Sequence, residues 1–366
     1  MDTSKRLLAL DVFRGLTIAL MILVNCPGNG DTTYRALLHA EWNGNTPTDE
    51  VFPFFLFIVG IAIIFSLSKL KLAGANRAQI YRKILIRTLW IVGIGIFLNG
   101  APEFDLATWR IPGVLTRIGI VYGICAVIFM NTNARQQFWI AVGCLLGYWA
   151  IMALVPAPGQ GFVSMERGQD IGAWLDRMVF GNHLYAHTKD YDPEGLLSTI
   201  PSIATCLAGI LAGEWIKKNM DQWPKWTAIF AAGFLLLLVG LLWGEVFPIN
   251  KKLWTSSYVL YHCGLALLTL GTIWWVVDVK GYKGWTAPFV WFGMNPLFIY
   301  ILHEVLAIVL YSIPVGGTSA YQWAYENIFH SWLGAYNASL AFAITIVLIN
   351  LSVAWWLWKR KIFVKV

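Results

Sequence analysis

Long apolar runs separated by short polar segments dominate this chain. A membrane-spanning helix needs about 20 consecutive, mostly apolar residues, and ten segments approach or meet that length. They are residues 7–26, 51–70, 84–100, 112–130, 137–156, 196–216, 226–246, 256–277, 286–308 and 337–358. The pattern predicts an all-α fold, a polytopic membrane helical bundle of about ten transmembrane helices. We expect residues 1–366 to form a single transmembrane domain, because no separate soluble segment interrupts the pattern.

The composition supports a membrane protein. The chain is 58% hydrophobic and 13% charged, with a mean hydropathy of +0.61, whereas soluble domains carry roughly 25% charged residues. Its 20 Trp and 14 Tyr suit the boundary between hydrocarbon and lipid headgroups. The cysteines show no CxxC pair and no metal-ligand spacing, so we expect no metal site. They are Cys26, Cys125, Cys144, Cys206 and Cys263.

The formal net charge of +7 reflects short basic clusters between the apolar runs. They form no continuous basic face, which argues against a nucleic-acid partner and favours a topological explanation, since cytoplasmic loops carry an excess of Lys and Arg. Lys5 and Arg6 before the first run resemble a secretory leader, but we expect an uncleaved helix. An orientation with the basic clusters on the cytoplasmic side places both termini in the cytoplasm. The long loops 26–50, 157–195 and 309–336 then lie outside.

One polar stretch, "HAEWNG", stands directly before an apolar run and holds the first candidates for chemistry. His39 begins it, Asn25 ends the first predicted span, and Asp49 precedes the second span, so the three can converge at the outer boundary of the bundle. Histidine is the side chain best suited to move a proton near neutral pH. We expect Trp42, Asn43 and Asp49 to contact a substrate. The alternative is that this stretch only caps a loop through hydrogen bonds.

A second candidate is Arg117 in "RIPGVLTRIG", which lies within a predicted span. An Arg at mid-membrane costs about 2.5–3.5 kcal/mol even on the mild insertion scale, so its charge needs a partner. One answer is a structural ion pair, for instance with Asp11 or Glu304. The other is an anionic ligand inside the bundle, which Arg binds in a bidentate way.

Two further polar clusters adjoin or enter predicted spans. In "YDPEGLLSTI", Asp192 and Glu194 suit a cationic, hydroxyl-rich ligand such as an amino sugar, although ordinary helix N-capping explains them equally well. In "FGMNPLFIYILHEV", Asn295 and His303 share one span with Glu304. Ionisable groups inside a membrane are functional candidates, yet an internal His303–Glu304 hydrogen bond is the alternative.

Eight blocks of the chain, in the same order, resemble the transmembrane acyltransferase family related to heparan-alpha-glucosaminide N-acetyltransferase. The blocks are LDVFRGLTIALMILVN, HAEWNG, TDEVFPFFLFIVG, RIPGVLTRIG, YDPEGLLSTI, PINKKLWTSSYVL, VVDVKG and FGMNPLFIYILHEV. The resemblance implies one transmembrane acyltransferase domain over residues 1–366. Such an enzyme takes acetyl from cytoplasmic acetyl-CoA and places it on the amine of a terminal glucosamine of heparan or heparin type across the membrane.

The resemblance also implies residue roles. The family's histidine of the H-A-x-W-N-G block is His39 here, as general base or acetyl carrier, and the Asn that closes the first span is Asn25. We expect Asn25 to donate a hydrogen bond to the thioester oxygen as negative charge develops there. The cations expected to bind acetyl-CoA are Arg14, Arg82, Lys83, Arg87 and Arg117.

Three other functions remain open from the sequence. An O-acetyltransferase of an envelope glycan would use the same residues, a secondary transporter should show inverted halves, and a non-catalytic assembly protein would tolerate His39→Ala. The resemblance makes a homodimer an expectation. The missing N-terminal region and additional span of the lysosomal enzyme favour a multi-pass protein of a bacterial cytoplasmic (inner) membrane with the acceptor in the periplasm. Pro201, where the family pattern has Asn, leaves the acceptor open.

Overall fold

The computed structural model describes residues 7–73, 76–101, 103–218 and 220–364. Lys5 and Arg6, which entered the predicted topology, lie outside these residues. Within them the α-helices are α1 Leu8–Asn25, α2 Val51–Leu72, α3 Arg77–Gly100, α4 Val114–Asn131, α5 Ala134–Leu154, α6 Ile171–Phe180, α7 Thr199–Lys217, α8 Gln222–Gly244, α9 Ser256–Trp274, α10 Ala287–Met294, α11 Pro296–Ser312, α12 Ala320–Ala324 and α13 Ala335–Lys359.

Short elements connect these helices. Three 3-10 turns lie between α1 and α2, at Gly30–Thr32, Arg35–Leu37 and Pro47–Glu50. A π-helical turn extends α9 over Trp275–Val279, and another follows α12 over Tyr325–His330. The only strands in the described residues are β1 Pro314–Val315 and β2 Thr318–Ser319, which pair antiparallel.

Nine of the ten predicted membrane spans are confirmed as helices of spanning length. Among the described residues, nine helical segments are long and apolar enough to cross a membrane, or ten if one bent pair counts as a span. The ends shift by a few residues. The largest shift is in α3, which begins at Arg77 rather than at residue 84 because the Asn76 side chain accepts a hydrogen bond from Ala78 N at the helix start. The chain is an all-α polytopic bundle.

The ninth predicted span differs from expectation. Residues 286–308 do not form one straight helix, because α10 and α11 meet at an angle of 88°. Proline at position 296 lacks a backbone N–H, and the residue before a proline is disfavoured in the helical conformation. Asn295 accordingly has φ −129° and ψ 53°. The sequence pattern predicted the span but not this bend, since both halves are apolar and only the Asn295–Pro296 dipeptide interrupts them.

The chain divides into two compact units. The first unit comprises the described residues up to Ala40, Thr46–Val51 and those from Thr269 onward. The second unit comprises Glu41–Asn45 and Phe52–Leu268. The expectation of a single domain stays a prediction.

Close helix contacts through glycine build the first unit. A Cβ on Gly15 of α1 would lie 1.7 Å from Phe289 O in α10, and a Cβ on Gly293 would lie 2.2 Å from Asp11 O. Small residues allow membrane helices to approach backbone to backbone, where packing replaces the hydrophobic drive that lipid cannot supply. The α1–α10 contact thereby fixes the helix that ends at Asn25.

The second unit uses the same device between α2 and α7. A Cβ on Gly60 would lie 2.0 Å from Cys206 O, and a Cβ on Gly209 would lie 2.0 Å from Phe57 O. The two glycines thus face each other's helix backbones, and Phe57 and Cys206 are fully buried there. A larger side chain at either glycine would push the helices apart.

Candidate active site

The loop that follows α1 is held against the C-terminal helices of the first unit. Gly28 N donates to Ser339 O at 3.2 Å, and the Tyr321 hydroxyl donates to Pro27 O at 2.7 Å. A Cβ on Gly28 would lie 2.5 Å from the Tyr325 ring, so only glycine fits this approach. These contacts fix the path of the chain from α1 toward His39.

His39 and Asp49 form a hydrogen-bonded pair in the first unit. His39 Nδ1 lies 2.7 Å from Asp49 Oδ1. The Asp49 side chain is 1% exposed, whereas that of His39 is 46% exposed. Asp49 Oδ2 accepts hydrogen bonds from Ala40 N, Thr46 N and Thr46 Oγ1, each at 3.0 Å. The carboxylate is therefore held rigidly by the turn before α2 and presents one oxygen to the imidazole.

This pair is suited to proton transfer or to nucleophilic attack. A carboxylate that accepts the Nδ1–H of a histidine fixes the ring orientation and the tautomer in which Nε2 carries the lone pair. It also stabilises the imidazolium that forms when Nε2 takes a proton. Asp49 was predicted to contact a substrate, but in the structure it is buried and bonded to His39. Its geometry is that of a group that positions the histidine.

Asn25 is the last residue of α1, and its side chain is exposed. Within the described part of the chain its amide makes no hydrogen bond, so it can donate to a carbonyl oxygen. The neighbouring Cys26 is buried, and burial together with the Glu304 carboxylate raises the pKa of its thiol to about 12. Because the thiolate is the nucleophile, Cys26 is unsuited to carry an acyl group at neutral pH.

The remainder of the "HAEWNG" stretch belongs to the second unit, where Trp42 is its main anchor. Trp42 Nε1 donates to Met165 O at 3.0 Å. The Arg167 guanidinium and the Lys252 ammonium lie 5.5 Å and 5.9 Å from its ring centroid, and the Tyr191 ring meets it edge-on at 5.4 Å. The indole is half-buried beside two cations. This surface suits a polar, hydroxyl-rich or anionic group.

Two amide contacts fix the end of the same stretch. Asn250 Nδ2 donates to Asn43 Oδ1 at 3.1 Å, and His262 Nε2 lies 3.0 Å from Asn45 Oδ1. Gly44 between them has φ +107°, a conformation that glycine adopts without strain. Neither Asn250 nor His262 was predicted from the sequence to belong to the site. The "PINKKLW" block contains Asn250, and its resemblance to the family could have indicated that residue.

Asp192 and Glu194, predicted to meet a cationic acceptor, are paired with Arg110. Arg110 Nε donates to Asp192 Oδ2 at 2.9 Å, and Nη2 donates to Asp192 Oδ1 at 2.6 Å and to Glu194 Oε2 at 2.5 Å. Burial alone would lower the pKa of Arg110, but the two carboxylates outweigh it and raise that pKa. Helix α7 begins at Thr199, so Asp192 does not cap it. Arg110 was not among the residues predicted from the sequence.

Arg117 is buried in α4 among second-unit groups. Its Nη2 donates to Ser198 Oγ at 2.5 Å and to Gly195 O at 2.9 Å, and its guanidinium lies 5.3 Å from the Trp254 ring centroid. Among the described residues its Nε and Nη1 have no hydrogen-bond partner. The carboxylates that interact with its charge are those of Glu194, Asp192 and Asp176. A charge so deeply buried depends on this network.

Asp176 connects this network to α6. Its Oδ1 accepts a hydrogen bond from Leu196 N at 2.8 Å, and burial raises its pKa to about 6. The adjoining cavity measures about 10 Å³, room for one water molecule and far too small for a sugar. The residues that line it include Tyr148, Asp170, Asp176, Asp192 and Ser198.

The predicted phosphate-binding cations are divided between the units. In the first unit, Arg14 Nη1 lies 3.4 Å from Asp11 Oδ1 and donates to Gly293 O at 3.1 Å. Exposed cations suit phosphate groups, because they approach the ligand without first leaving an internal partner. In the second unit, the predicted cations Arg82, Lys83 and Arg87 are exposed on α3, and the Arg87 guanidinium lies 4.9 Å from the Tyr122 ring centroid.

Asn295 and His303 occupy different surroundings in the first unit. Asn295 is fully buried, its Nδ2 donates to Ile362 O at 3.0 Å, and its Oδ1 accepts from Val364 N at 2.8 Å. The amide therefore holds the C-terminal segment. His303 is buried, and its Nε2 lies 3.5 Å from Glu304 Oε1, too far for a good hydrogen bond. Neither ring nitrogen of His303 has a hydrogen-bond partner within the described residues.

Comparison with known proteins gives the family. The model of the family described as heparan-alpha-glucosaminide N-acetyltransferase, catalytic, matches residues 6–242. The mouse heparan-alpha-glucosaminide N-acetyltransferase is 30% identical over 284 residues, covering 64% of this chain and 43% of the mouse protein. The human protein of the same name is 31% identical over 257 residues, covering 57% and 38%.

The chain thus spans less than half the length of the curated relatives it matches. The family match contains His39 and Asp49 as well as the Arg110 and Arg117 network. The match extends over more than half of the chain, and so the chain belongs to the heparan-alpha-glucosaminide N-acetyltransferase catalytic family.

Proposed function

We propose that this protein is a transmembrane acetyltransferase. It moves acetyl from cytoplasmic acetyl-CoA to the amine of a terminal glucosamine, of heparan or heparin type or on another amino sugar, on the periplasmic side. The observation that carries this proposal is the 2.7 Å contact between His39 Nδ1 and Asp49 Oδ1. Membership of the family supports the reaction class.

In the direct route the sugar amine attacks the thioester carbonyl. The new N–C bond forms, the C–S bond breaks, and the amine proton passes to His39 Nε2 and then to the departing CoA thiolate. A positioned base of this kind contributes about 10²- to 10⁴-fold. Asp49 holds the imidazole in the required tautomer and stabilises the imidazolium. The buried carboxylate is thus a positioning residue.

Asn25 is proposed to act on the thioester oxygen. Its exposed amide at the end of α1 can donate a hydrogen bond as that oxygen gains negative charge. A single donor of this type is worth about 3 kcal/mol of transition-state stabilisation. Trp42 and Asn43 are proposed to shape the acceptor surface, where Arg167 and Lys252 flank the indole.

In the alternative route His39 itself carries the acetyl group. Its Nε2 attacks the thioester carbonyl, the C–S bond breaks, and CoA leaves as the thiolate, which takes a proton from water. The sugar amine then attacks the acetyl carbonyl, the N–C bond to the sugar forms, the bond to Nε2 breaks, and the proton that the amine loses passes to water. This covalent route predicts ping-pong kinetics and labelled enzyme in the absence of acceptor. The same pairing with Asp49 supports both routes, because either one requires the lone pair on Nε2.

The donor is proposed to reach the protein from the cytoplasm. The exposed cations of α3, Arg82, Lys83 and Arg87, offer charge-assisted hydrogen bonds to the phosphates of CoA, and the assignment of Arg14 to acetyl-CoA stays a prediction. The contacts of Arg117 favour a structural role in the second unit, so its assignment to acetyl-CoA stays a prediction. The same holds for the substrate contacts predicted at Asp192, Glu194, Asn295 and His303.

The setting of the reaction belongs to the proposal as well. The protein is a multi-pass membrane protein, and we propose a bacterial cytoplasmic membrane with both chain ends in the cytoplasm. That topology needs α10 and α11 to cross the membrane once as a pair. A homodimer is proposed from the family resemblance alone.

The test combines purified protein in detergent with acetyl-CoA labelled in the acetyl group and a panel of amino sugars, including heparin-derived oligosaccharides. We expect N-acetylated product with the parent protein and little with His39→Ala or Asn25→Ala. His330→Ala serves as the matched control, because His330 is exposed and lies outside the proposed site.

Transfer at the parental rate by His39→Ala would remove the proposed role of the imidazole. A product that carries acetyl only on hydroxyl groups would show that the reaction is O-acetylation of a glycan instead. Label on His39 without any acceptor would decide for the covalent route.

A further inference from the structure

A large apolar groove runs along four helices of the second unit. It has a volume of about 450 Å³ and lies between α5, α7, α8 and α9. Alanines form about a third of its lining, and their small side chains leave the space between the helices unfilled. The alanines are Ala141, Ala204, Ala208, Ala212, Ala228 and Ala232.

The groove has the length of one lipid leaflet. On α7 its lining extends from Ala204 to Trp215, which at 1.5 Å per residue is about 16 Å. The hydrocarbon core of a bilayer is about 30 Å thick, so half of it is about 15 Å. The groove therefore extends from the membrane surface at which α7 ends to about the bilayer midplane.

The surface end of the groove is aromatic and basic. Trp215 lines the groove, and the Lys218 ammonium lies 4.0 Å from the Trp215 ring centroid. Trp215 Nε1 donates to Lys225 O at 3.3 Å, which brings the start of α8 to the same end. Tryptophan is enriched at the level of lipid headgroups. The end of the groove is thus placed where a headgroup would lie.

A second recess of about 380 Å³ lies near the same end of α7. Three lysines line it, Lys71, Lys217 and Lys218, together with one carboxylate, Glu214. Glu214 interacts with the charges of Lys71 and Lys218, and the recess keeps an excess of positive charge. Lysines near a membrane surface attract anionic lipids.

We propose that the groove binds an anionic phospholipid. One acyl chain fills the space between α5, α7, α8 and α9, and the phosphate lies beside Lys218 and Lys217 at the mouth of the lysine recess. The apolar length and the positive charge at a single end match the two parts of such a lipid. This site is independent of the acetyl transfer proposed above.

The test uses phosphatidylglycerol with a photoactivatable diazirine near the end of one acyl chain. The full-length protein is placed in phosphatidylcholine nanodiscs with this probe or with a phosphatidylcholine that carries the same chain, and the labelled peptides are mapped by mass spectrometry. We expect label on α5, α7, α8 and α9 residues of the groove. Phosphatidylglycerol should label them at least about five-fold more strongly, since one lysine near the surface gives about that preference.

Two pairs of variants test the two parts of the site. Lys218→Gln should lower the phosphatidylglycerol label about five-fold, whereas Lys280→Gln should not, although Lys280 likewise lies beside a tryptophan, 5.1 Å from the Trp275 ring centroid. Ala208→Phe fills the groove and should abolish the label. Ala231→Phe places the same ring on the exposed face of α8 and should leave it unchanged.

Equal labelling by the two lipids, or equal losses for Lys218→Gln and Lys280→Gln, would overturn the proposal. So would label that persists in Ala208→Phe. Loss of label on addition of CoA would show that the groove is a binding site for acetyl-CoA. Photo-crosslinks from the groove to a second copy of the chain would show that it is a protein interface.

Discussion

His39–Asp49 and Arg110–Asp192 place an aspartate against a basic side chain in two different environments. In the first pair the carboxylate is buried but 46% of the imidazole is exposed. In the second pair Asp192 is fully buried, Arg110 is 18% exposed, and the guanidinium is shared with Glu194. In the first pair the basic group is partly exposed at the surface. In the second pair the opposite charges compensate one another inside the protein. The exposure of the basic side chain therefore distinguishes a pair that can act on a ligand from a pair that stabilises the fold.

The largest effect is expected at the exposed partner of the first pair. His39→Ala should lower kcat/KM for acetyl transfer by about 10²- to 10⁴-fold, because the base is lost. Its thermal unfolding temperature should stay near that of the parent, since the imidazole is half exposed. Steady-state kinetics and scanning fluorimetry measure the two quantities. An equal loss of activity and folding would erase the distinction between the pairs.

The second pair should respond in the opposite way. Arg110→Ala leaves Asp192 and Glu194 buried without their cation, and breaking a buried ion pair costs about 3–5 kcal/mol of folding stability. We expect a large drop in unfolding temperature. Arg135→Ala on α5 is the matched control, because that side chain is exposed. If Arg110→Ala unfolds like the control, the network is not structural.

The buried carboxyl group of Asp176 should make the folding stability of the protein depend on pH. The pKa of Asp176 is raised by burial from 3.8 to about 6, so the folded state binds its proton more tightly than the unfolded state. This contribution is fully present below about pH 4 and is lost as pH rises through about 6. Asp176→Asn should therefore raise stability by about 2–3 kcal/mol at pH 7.

That gain should shrink to nothing near pH 4, and unfolding midpoints measured at half-unit steps test the trend. Glu166→Gln, an exposed acid in the segment that precedes α6, is the control. A gain for Asp176→Asn that does not vary with pH would point to better packing and not to titration.

The smallest effect is expected at the buried partner of the first pair. Asp49→Asn keeps the side-chain shape but places an amide where a carboxylate accepted the Nδ1–H. We expect kcat/KM to fall by about 10- to 100-fold, the range found when a group that orients a metal-bound histidine is lost. Asp31→Asn, exposed in the same loop, should have no effect. An unchanged rate for Asp49→Asn would show that the loop alone orients His39.

The sequence predicted the membrane spans well because each one must bury its backbone polar groups and present apolar side chains over a fixed length. The bend at Asn295 escaped prediction, since both flanking helices are apolar and only the Asn-Pro step marks it. The α6 helix within the predicted loop 157–195 was likewise not anticipated. Its short amphipathic pattern lacks the length that identifies a span.

The site was predictable in part. The residue type and the position before a span selected His39 and Asp49, but not that one would bond the other. The pairing of Arg110 with Asp192 joins positions 82 residues apart, and no local pattern encodes such a contact. For the same reason the partners of Arg117 in the second unit, Ser198 and Gly195, were not among those considered.

The central claim is that Asp49 serves catalysis only through His39. A double-mutant cycle of His39→Ala and Asp49→Asn, read as kcat/KM for acetyl transfer to an amino sugar, tests it most directly. The account predicts that the double variant is within about three-fold of His39→Ala alone, because no imidazole remains to be oriented. Losses that multiply would contradict it, since Asp49 would then act on the reaction by a path of its own.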